Sequence, residues 1–159
     1  KDAITLFGGD IDDLNGEVGD PKFIADVNFN LDKGPWAFFW GIDYVGKTSN
    51  KEQFIEDNGR ICFDPAIPEH GASTVYNNLP YCYVVGTKAK MYHAASITRR
   101  IADDRFEMTL GINNIFNTKP PRISTGIGGS LSTIGQAPAV SQYDWLGRRL
   151  FVSVKARLK

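Results

Sequence analysis

The sequence predicts an all-β fold made of antiparallel strands, and three observations indicate it. Several segments of about ten residues alternate between apolar and polar side chains, which is the period of a strand. The chain contains 16 glycines and 12% aromatic residues, a composition typical of strands joined by turns. The connections between these segments are either tight turns or long loops.

The first two predicted strands form a hairpin. In residues 23–31 the odd-numbered side chains are apolar and most of the even-numbered ones are polar. In residues 36–44 the even-numbered side chains are apolar and include Trp36 and Trp40. The four residues Asp32–Pro35 separate the two segments and contain Gly34, so a tight turn is predicted between them.

Three further strands follow the same pattern. They are predicted over 91–97, where the alternation is weaker, over 106–113 and over 150–158, with a turn at 102–104. Long connections are predicted at about 48–88 and 119–142. Strands of this length suit a bilayer crossed at a tilt of about 45°. Short turns at one end and long loops at the other are the layout of outer-membrane barrels, whose short turns face the periplasm.

The apolar faces of these strands are predicted to meet lipid. The opposite faces carry small and amide side chains, which suit a wet lumen better than bulk solvent. The residues predicted to face lipid are Phe23, Val27, Phe29, Trp36, Phe38, Trp40, Ile42, Phe106, Met108, Leu110, Ile112, Leu150, Val152 and Val154.

Composition and cysteine usage exclude several other classes. Acidic and basic residues balance at 18 each, so no basic surplus for nucleic acid exists. The sequence contains no run of about 18 apolar residues, so no transmembrane helix is predicted. Cys62 and Cys82 lie in one polar segment, and His70 and His93 have no metal-ligand spacing, so no metal site is predicted. A disulfide between the two cysteines, in an oxidising compartment, is favoured over two free thiols.

Two segments near the C-terminus resemble the last strands of TonB-dependent outer-membrane receptors. Residues 106–121, Phe-Glu-Met-Thr-Leu-Gly-Ile-Asn-Asn-Ile-Phe-Asn-Thr-Lys-Pro-Pro, are similar to the penultimate strand of that family. Residues 143–154, Tyr-Asp-Trp-Leu-Gly-Arg-Arg-Leu-Phe-Val-Ser-Val, are similar to its last strand. Residues 19–23 and 34–46 are similar to a preceding hairpin. The residues that carry the family signature are Gly111, Asn113, Asn114, Phe116, Tyr143, Gly147 and Arg148.

The resemblance implies a fold, a location and partners. Residues 1–159 would be the C-terminal part of a 22-stranded barrel, contributing its last five or six strands, with Lys1–Phe7 as the possible sixth. The plug domain and the TonB box are absent from this chain. The parent protein would lie in the bacterial outer membrane, contact its lipid and the TonB complex, and import a scarce siderophore, haem, cobalamin or glycan.

No enzyme chemistry is predicted. The acidic segment 10–17 does not match a calcium loop, because Leu14 and Asn15 occupy the fifth and sixth positions. The Gly-rich segment 124–130 lacks the lysine and the following helix of a phosphate loop. No catalytic triad or carboxylate pair can be assembled, and no cofactor is expected. His93 falls on the apolar face, where a membrane-boundary position is favoured over a catalytic role.

Two alternatives remain open at this point. The loop aromatics could contact a ligand or pack loop on loop, and packing is favoured for most of Tyr76, Tyr81, Tyr83, Tyr143 and Trp145. The whole chain could instead be a small soluble all-β binding or interaction module that shares only the strand periodicity.

Overall fold

The computed structural model describes residues 15–70, 79–102, 105–124, 133–134, 137–138 and 142–157. The predicted sixth strand at Lys1–Phe7 lies outside these residues. The described elements, in chain order, are β1 (Ile24–Lys33), β2 (Trp36–Val45), β3 (Thr48–Ser49), α1 (Lys51–Asn58), β4 (Cys62–Phe63), a 3₁₀ turn (Pro68–His70), β5 (Tyr81–Cys82), β6 (Gly86–Thr87), β7 (Lys90–Ile101), β8 (Phe106–Asn113), β9 (Thr133–Ile134), β10 (Ala137–Pro138) and β11 (Arg149–Ala156).

The five long strands form one antiparallel sheet in the order β1-β2-β7-β8-β11. Each strand pairs with the next long strand along the chain, so the predicted antiparallel meander is confirmed for these strands. In the described part of the chain the sheet is open, with β1 and β11 as its two edges. The short strands form three separate two-stranded ribbons within the long connections.

Most predicted strand boundaries agree with the structure to within two residues, and β7 is the exception. The weak alternation predicted a strand over 91–97, whereas β7 runs from Lys90 to Ile101. Its additional turn-end residues pair with β2 on one side, as in Trp36↔Arg99, and with β8 on the other, as in Ile101↔Phe106. Pairing with two neighbours therefore extends a strand beyond the length that its own side-chain pattern indicates.

The helix α1 was not predicted. Its sequence, Lys-Glu-Gln-Phe-Ile-Glu-Asp-Asn, contains good helix formers but only one buried side chain, Phe54, so it shows no broad apolar stripe. Gly59 ends the helix in the left-handed conformation (φ 75°) and donates its N–H to the Ile55 carbonyl. Among the helices of the described residues, none has the length and apolar composition of a membrane span.

The buried core of the described residues lies at the loop end of the sheet. One buried cluster consists of Val45, Tyr92 and Tyr143. It lies where β2 ends and β7 begins, next to the loops. Phe54 and Val85 form a second cluster inside the first long loop, against Ile61 and Tyr83. The sheet itself therefore gains little burial from its own side chains, and the loops are packed as a conventional core.

Candidate functional site

The strand register collects the predicted lipid-facing side chains on one face of the sheet. One cross-strand row runs Phe29↔Trp40, Trp40↔Ala95, Ala95↔Ile112 and Ile112↔Leu150. The next row joins Leu31, Phe38, Ile97, Leu110 and Val152 in the same way. Phe23 precedes β1, and the other predicted residues belong to these or adjacent rows. We call this surface the apolar face.

The apolar face is exposed on the edge strands and exposed or half-buried on the inner ones. Leu150 is 75% exposed, Val152 is 68% exposed and Leu31 is 61% exposed. Trp36, Ile42 and Ile112 are half-buried by their cross-strand neighbours. Monomeric soluble proteins rarely expose a contiguous apolar patch larger than a few hundred Å², so a patch of this extent indicates contact with another apolar medium or surface.

The opposite face, here called the polar face, carries hydroxyls, amides, glycines and charges. Thr98 and Thr109 share a hydrogen bond of 2.8 Å between their hydroxyls, and Arg100 donates to Asp32 at 2.9 Å. Asp26 and Asp43 are direct cross-strand partners near the loop end. Like charges placed directly opposite one another destabilise a strand pair.

Two aromatic side chains on the polar face cover glycines of the sheet. Phe151 is the cross-strand partner of Gly111, and a Cβ added at Gly111 would overlap its ring. A Cβ added at Gly41 would lie 2.8 Å from the ring of Phe39. The signature glycine at 111 thus has a structural reason, because the ring of Phe151 occupies the space of its missing side chain.

Signature residues at the loop end shape the two turns that flank the last strands, and one hydrogen bond joins these turns. Asn114 adopts a left-handed conformation (φ 50°), and its side chain accepts from Thr118 N–H (2.7 Å) and donates to Thr118 O (3.0 Å). Asn117 also has φ above zero (53°) and accepts from Arg148 N–H at 3.3 Å. Gly147 has φ 74°, so a side chain there would be strained.

Asp144 organises the turn before β11. Its Oδ1 accepts from Leu146 N–H (3.0 Å), Gly147 N–H (3.2 Å) and the Arg149 guanidinium (2.7 Å). Burial favours a raised pKa for Asp144, but these hydrogen bonds and the charge of Arg149 outweigh it and lower the pKa below its ordinary value of 3.8. The carboxylate is therefore held in its charged form at the loop end of the sheet.

A polar cavity of about 410 Å³ opens beside this turn. Its lining includes Asp43, Asn113, Gln142, Trp145 and Arg149. The Oε1 atom of Gln142 is buried without a hydrogen-bond partner in the described part of the chain, while its Nε2 donates to Gly19 O at 2.8 Å. The volume falls within the range of about 300–1,000 Å³ that is usual for small-molecule sites. The lining offers donors, acceptors and one indole ring to such a molecule.

The predicted disulfide between Cys62 and Cys82 is confirmed. Their Sγ atoms lie 2.07 Å apart and their Cα atoms 4.0 Å apart. They are also direct cross-strand partners in the β4–β5 ribbon. The described loop aromatics around them pack on one another: Phe63 stacks on Tyr81 (centroids 5.2 Å apart), and Tyr83 meets Phe54 at 4.9 Å. The favoured packing role therefore holds for Tyr81 and Tyr83.

Tyr143 also packs, and it ties the two long loops together. It is 4% exposed, and its hydroxyl shares a 3.3 Å hydrogen bond with Thr87, which in turn shares one of 2.9 Å with Thr48. Val84 and Ser124 add two further bonds between the loops, at 2.8 and 2.9 Å. Tyr143 and Trp145 both line the polar cavity, whereas Tyr81 and Tyr83 do not.

His93 lies on the apolar face at its loop end, between Trp40 (ring centroids 5.8 Å apart) and Phe116 (5.0 Å). In the residues that the structure describes, no group of three or more His, Cys, Asp or Glu could hold a metal ion.

Some residues considered in the sequence analysis lie outside the described ranges. They are Tyr76, most of the acidic segment 10–17 and all but Ser124 of the Gly-rich segment 124–130.

The chain was compared with family models, curated proteins and solved structures, and none of them matches it.

Proposed function

We propose that this chain forms part of the wall and outer loops of a TonB-dependent outer-membrane receptor, which takes up a scarce ligand. The single observation that carries the proposal is the apolar face, which runs across five strands and is covered by no described element. Lipid would cover this face. The polar face would then line the lumen, as the resemblance of residues 106–121 and 143–154 to the family's last strands implies.

Backbone hydrogen bonding supports a wall that continues beyond these strands. In lipid every backbone N–H and C=O must be paired within the protein, so each strand needs a neighbour on both sides. The strands β2, β7 and β8 have two neighbours, whereas β1 and β11 have one each in the described residues. Transmembrane barrels have eight strands or more, so five strands alone would not form one. In the proposed receptor the remaining barrel strands pair with both edges.

The ligand would enter from the loop end. The short β1–β2 turn and the β7–β8 turn lie at one end of the sheet, and the long connections lie at the other. The polar cavity beside Asp144 opens at that second end, on the face assigned to the lumen. Its lining of Asn113, Gln142, Trp145 and Arg149 would contact a small polar ligand that descends through the loops.

The three tryptophans test the assignment of the apolar face. Trp36 and Trp40 lie on that face, and Trp145 lies at the loop end. Three variants of the proposed receptor, each keeping one of these residues as its sole tryptophan with phenylalanine at the other sites, are folded into vesicles whose lipids carry bromine at defined depths. Trp40 is four residues along β2 from Trp36, which corresponds to about 13 Å. Deep bromines should quench Trp40, shallow bromines should quench Trp36, and Trp145 should be quenched least.

A matched variant keeps the experiment specific. Phe39→Trp in a background without other tryptophans places the probe one residue from Trp40 but on the polar face. It should be quenched far less than Trp40 at every bromine depth. Equal quenching of residues 39 and 40, or no quenching at all, would contradict the proposal. Sequencing the gene upstream of Lys1 tests the wider assignment, since a plug domain and further strands are expected there.

A further inference from the structure

A cationic row crosses the apolar face at the end with the short turns. Lys33 on β1 pairs with Trp36 on β2, and Trp36 pairs with Arg99 on β7. The guanidinium carbon of Arg99 lies 5.0 Å from the centroid of the Trp36 ring. Because neighbouring strands are about 4.8 Å apart, the backbones of Lys33 and Arg99 are separated by about 10 Å with Trp36 between them.

The positive charge of this row is not neutralised on its own face. Within the described residues neither Lys33 nor Arg99 forms an ion pair. The nearby carboxylates of Asp32 and Glu107 belong to the polar face, where Asp32 pairs with Arg100 at 2.9 Å and Glu107 is the cross-strand partner of Arg100. Two adjacent residues therefore place cations on opposite faces: Arg100 forms an ion pair with Asp32, whereas Arg99 contacts the ring of Trp36 and has no ion pair among the described residues.

An apolar groove leads away from the cationic row. A hollow of about 580 Å³ is lined by Lys33 and Trp36, and it shares Phe38 and Ile97 with a second hollow of about 690 Å³ at the centre of the face. The second hollow contains Ala95, whose short side chain lies between the larger Trp40 and Ile112. The groove therefore begins at Lys33, with Arg99 beside the ring of Trp36 on the next strand, and runs to the middle of an otherwise bulky apolar surface.

We propose that this groove binds one anionic phospholipid. Its phosphate lies between Lys33 and Arg99, and an acyl chain follows Phe38 and Ile97 towards Ala95. Tryptophan favours the boundary between hydrocarbon and headgroups, and long cationic side chains reach from apolar surfaces towards lipid phosphates. The inference rests on the proposed function in one respect, that the apolar face meets lipid, and adds which lipid is held and at which end of the strands.

The first experiment compares adjacent arginines. The full chain is bound to vesicles of phosphatidylcholine alone and to vesicles that also contain phosphatidylglycerol, and the affinities are measured by flotation. Each cation near an anionic surface contributes about fivefold in affinity. Lys33→Gln and Arg99→Gln should each remove about that factor from the preference for phosphatidylglycerol, and the double variant should remove both factors. Arg100→Gln, with the same loss of charge on the opposite face, should keep most of the preference.

The second experiment blocks the groove without changing charge. Ala95→Phe fills the second hollow, whereas Ala94→Phe adds the same ring to the polar face. Native mass spectrometry of the detergent-solubilised chain should show less retained phosphatidylglycerol for Ala95→Phe and unchanged retention for Ala94→Phe. Equal losses in both alanine variants would overturn the acyl-chain track.

The remaining outcomes separate this site from the proposed function. Equal effects of Arg99→Gln and Arg100→Gln would mean that net charge alone attracts the lipid, and would overturn the site. Equal binding of the unmodified chain to both vesicle types would also overturn the site while leaving lipid contact intact. Failure to bind either vesicle would overturn the lipid assignment of the apolar face as well.

Discussion

The sheet and the loop end of this molecule are stabilised in opposite ways. The five long strands are paired in regular register, yet side chains such as Leu150 remain 75% exposed. At the loop end Val45, Tyr92 and Tyr143 are between 2% and 5% exposed, and buried hydroxyls such as Thr48 and Thr87 are hydrogen-bonded to each other. Backbone pairing specifies the sheet, whereas side-chain burial specifies the loops.

The difference teaches that one chain can be built for two surroundings. Burial of apolar side chains away from water stabilises a core, and the loop end obtains this burial within the chain. The apolar face can obtain it only from something outside the described residues. On the proposed assignment of the apolar face to lipid, perturbations of the face should depend on the surrounding lipid, and perturbations of the loop end should not.

The largest effect is expected from a charge placed on the apolar face. Within the proposed receptor, Phe38→Arg and Trp40→Arg should each destabilise the barrel in vesicles by about 2–4 kcal/mol if they lie near the bilayer midplane. Phe39→Arg should cost less, because the polar face tolerates charge and only the ring over Gly41 is lost. Guanidinium unfolding in vesicles measures the three values. A larger cost for Phe39→Arg than for its two neighbours would reverse the assignment of the faces.

The next effect concerns the loop end. Cys62→Ser with Cys82→Ser removes a cross-link between residues separated by 20 positions. In the chain-entropy model such a link stabilises by about 3 kcal/mol, and the effect should be confined to the first long loop. Hydrogen exchange should therefore accelerate in α1 and at Tyr83 but remain unchanged in β8. Equal acceleration in β8 would show that the loop and the sheet unfold together, and would contradict their separate stabilisation.

A smaller effect is expected at the signature glycine of β8. Gly111→Val should destabilise the sheet by about 1–3 kcal/mol, because the new side chain overlaps the ring of Phe151. Phe151→Ala in the same chain should restore part of the loss by vacating that space. A double variant as unstable as Gly111→Val alone would show that the glycine is needed for a reason other than the ring.

The smallest effect is expected from the Asp144–Arg149 pair, which is partly screened by solvent. Because the pKa of Asp144 is lower in the folded chain than its ordinary value of 3.8, its stabilising contribution is complete above that value and is lost as the pH falls through the folded pKa. Exchange of the Leu146 and Gly147 amides should therefore accelerate at low pH. Asp144→Asn should remove this pH dependence, whereas Asp57→Asn on the exposed side of α1 should preserve it.

The sequence by itself determined the strands and their faces. Alternation has a period of two residues and is a local property, so residues 23–31, 36–44 and 106–113 indicated both the strand and the side of the sheet for each side chain. The sequence favoured a disulfide between Cys62 and Cys82, because both lie in one polar segment without metal-ligand spacing, but it left two free thiols open. The polar cavity could be foreseen only in part, because Asn113 and Trp145 stood out while Gln142 and Asp43 did not.

The tertiary structure alone decided what the long connections do. The helix α1 has too few buried residues to show a pattern, and it is held by Phe54 packing against Val85 and Tyr83. Tyr143 is buried by contacts with Thr87, which is 56 residues away, and Gln142 reaches Gly19 across 123 residues. Contacts between such distant residues leave no periodic trace in the sequence, because they depend on how the loops meet after the sheet has brought their ends together.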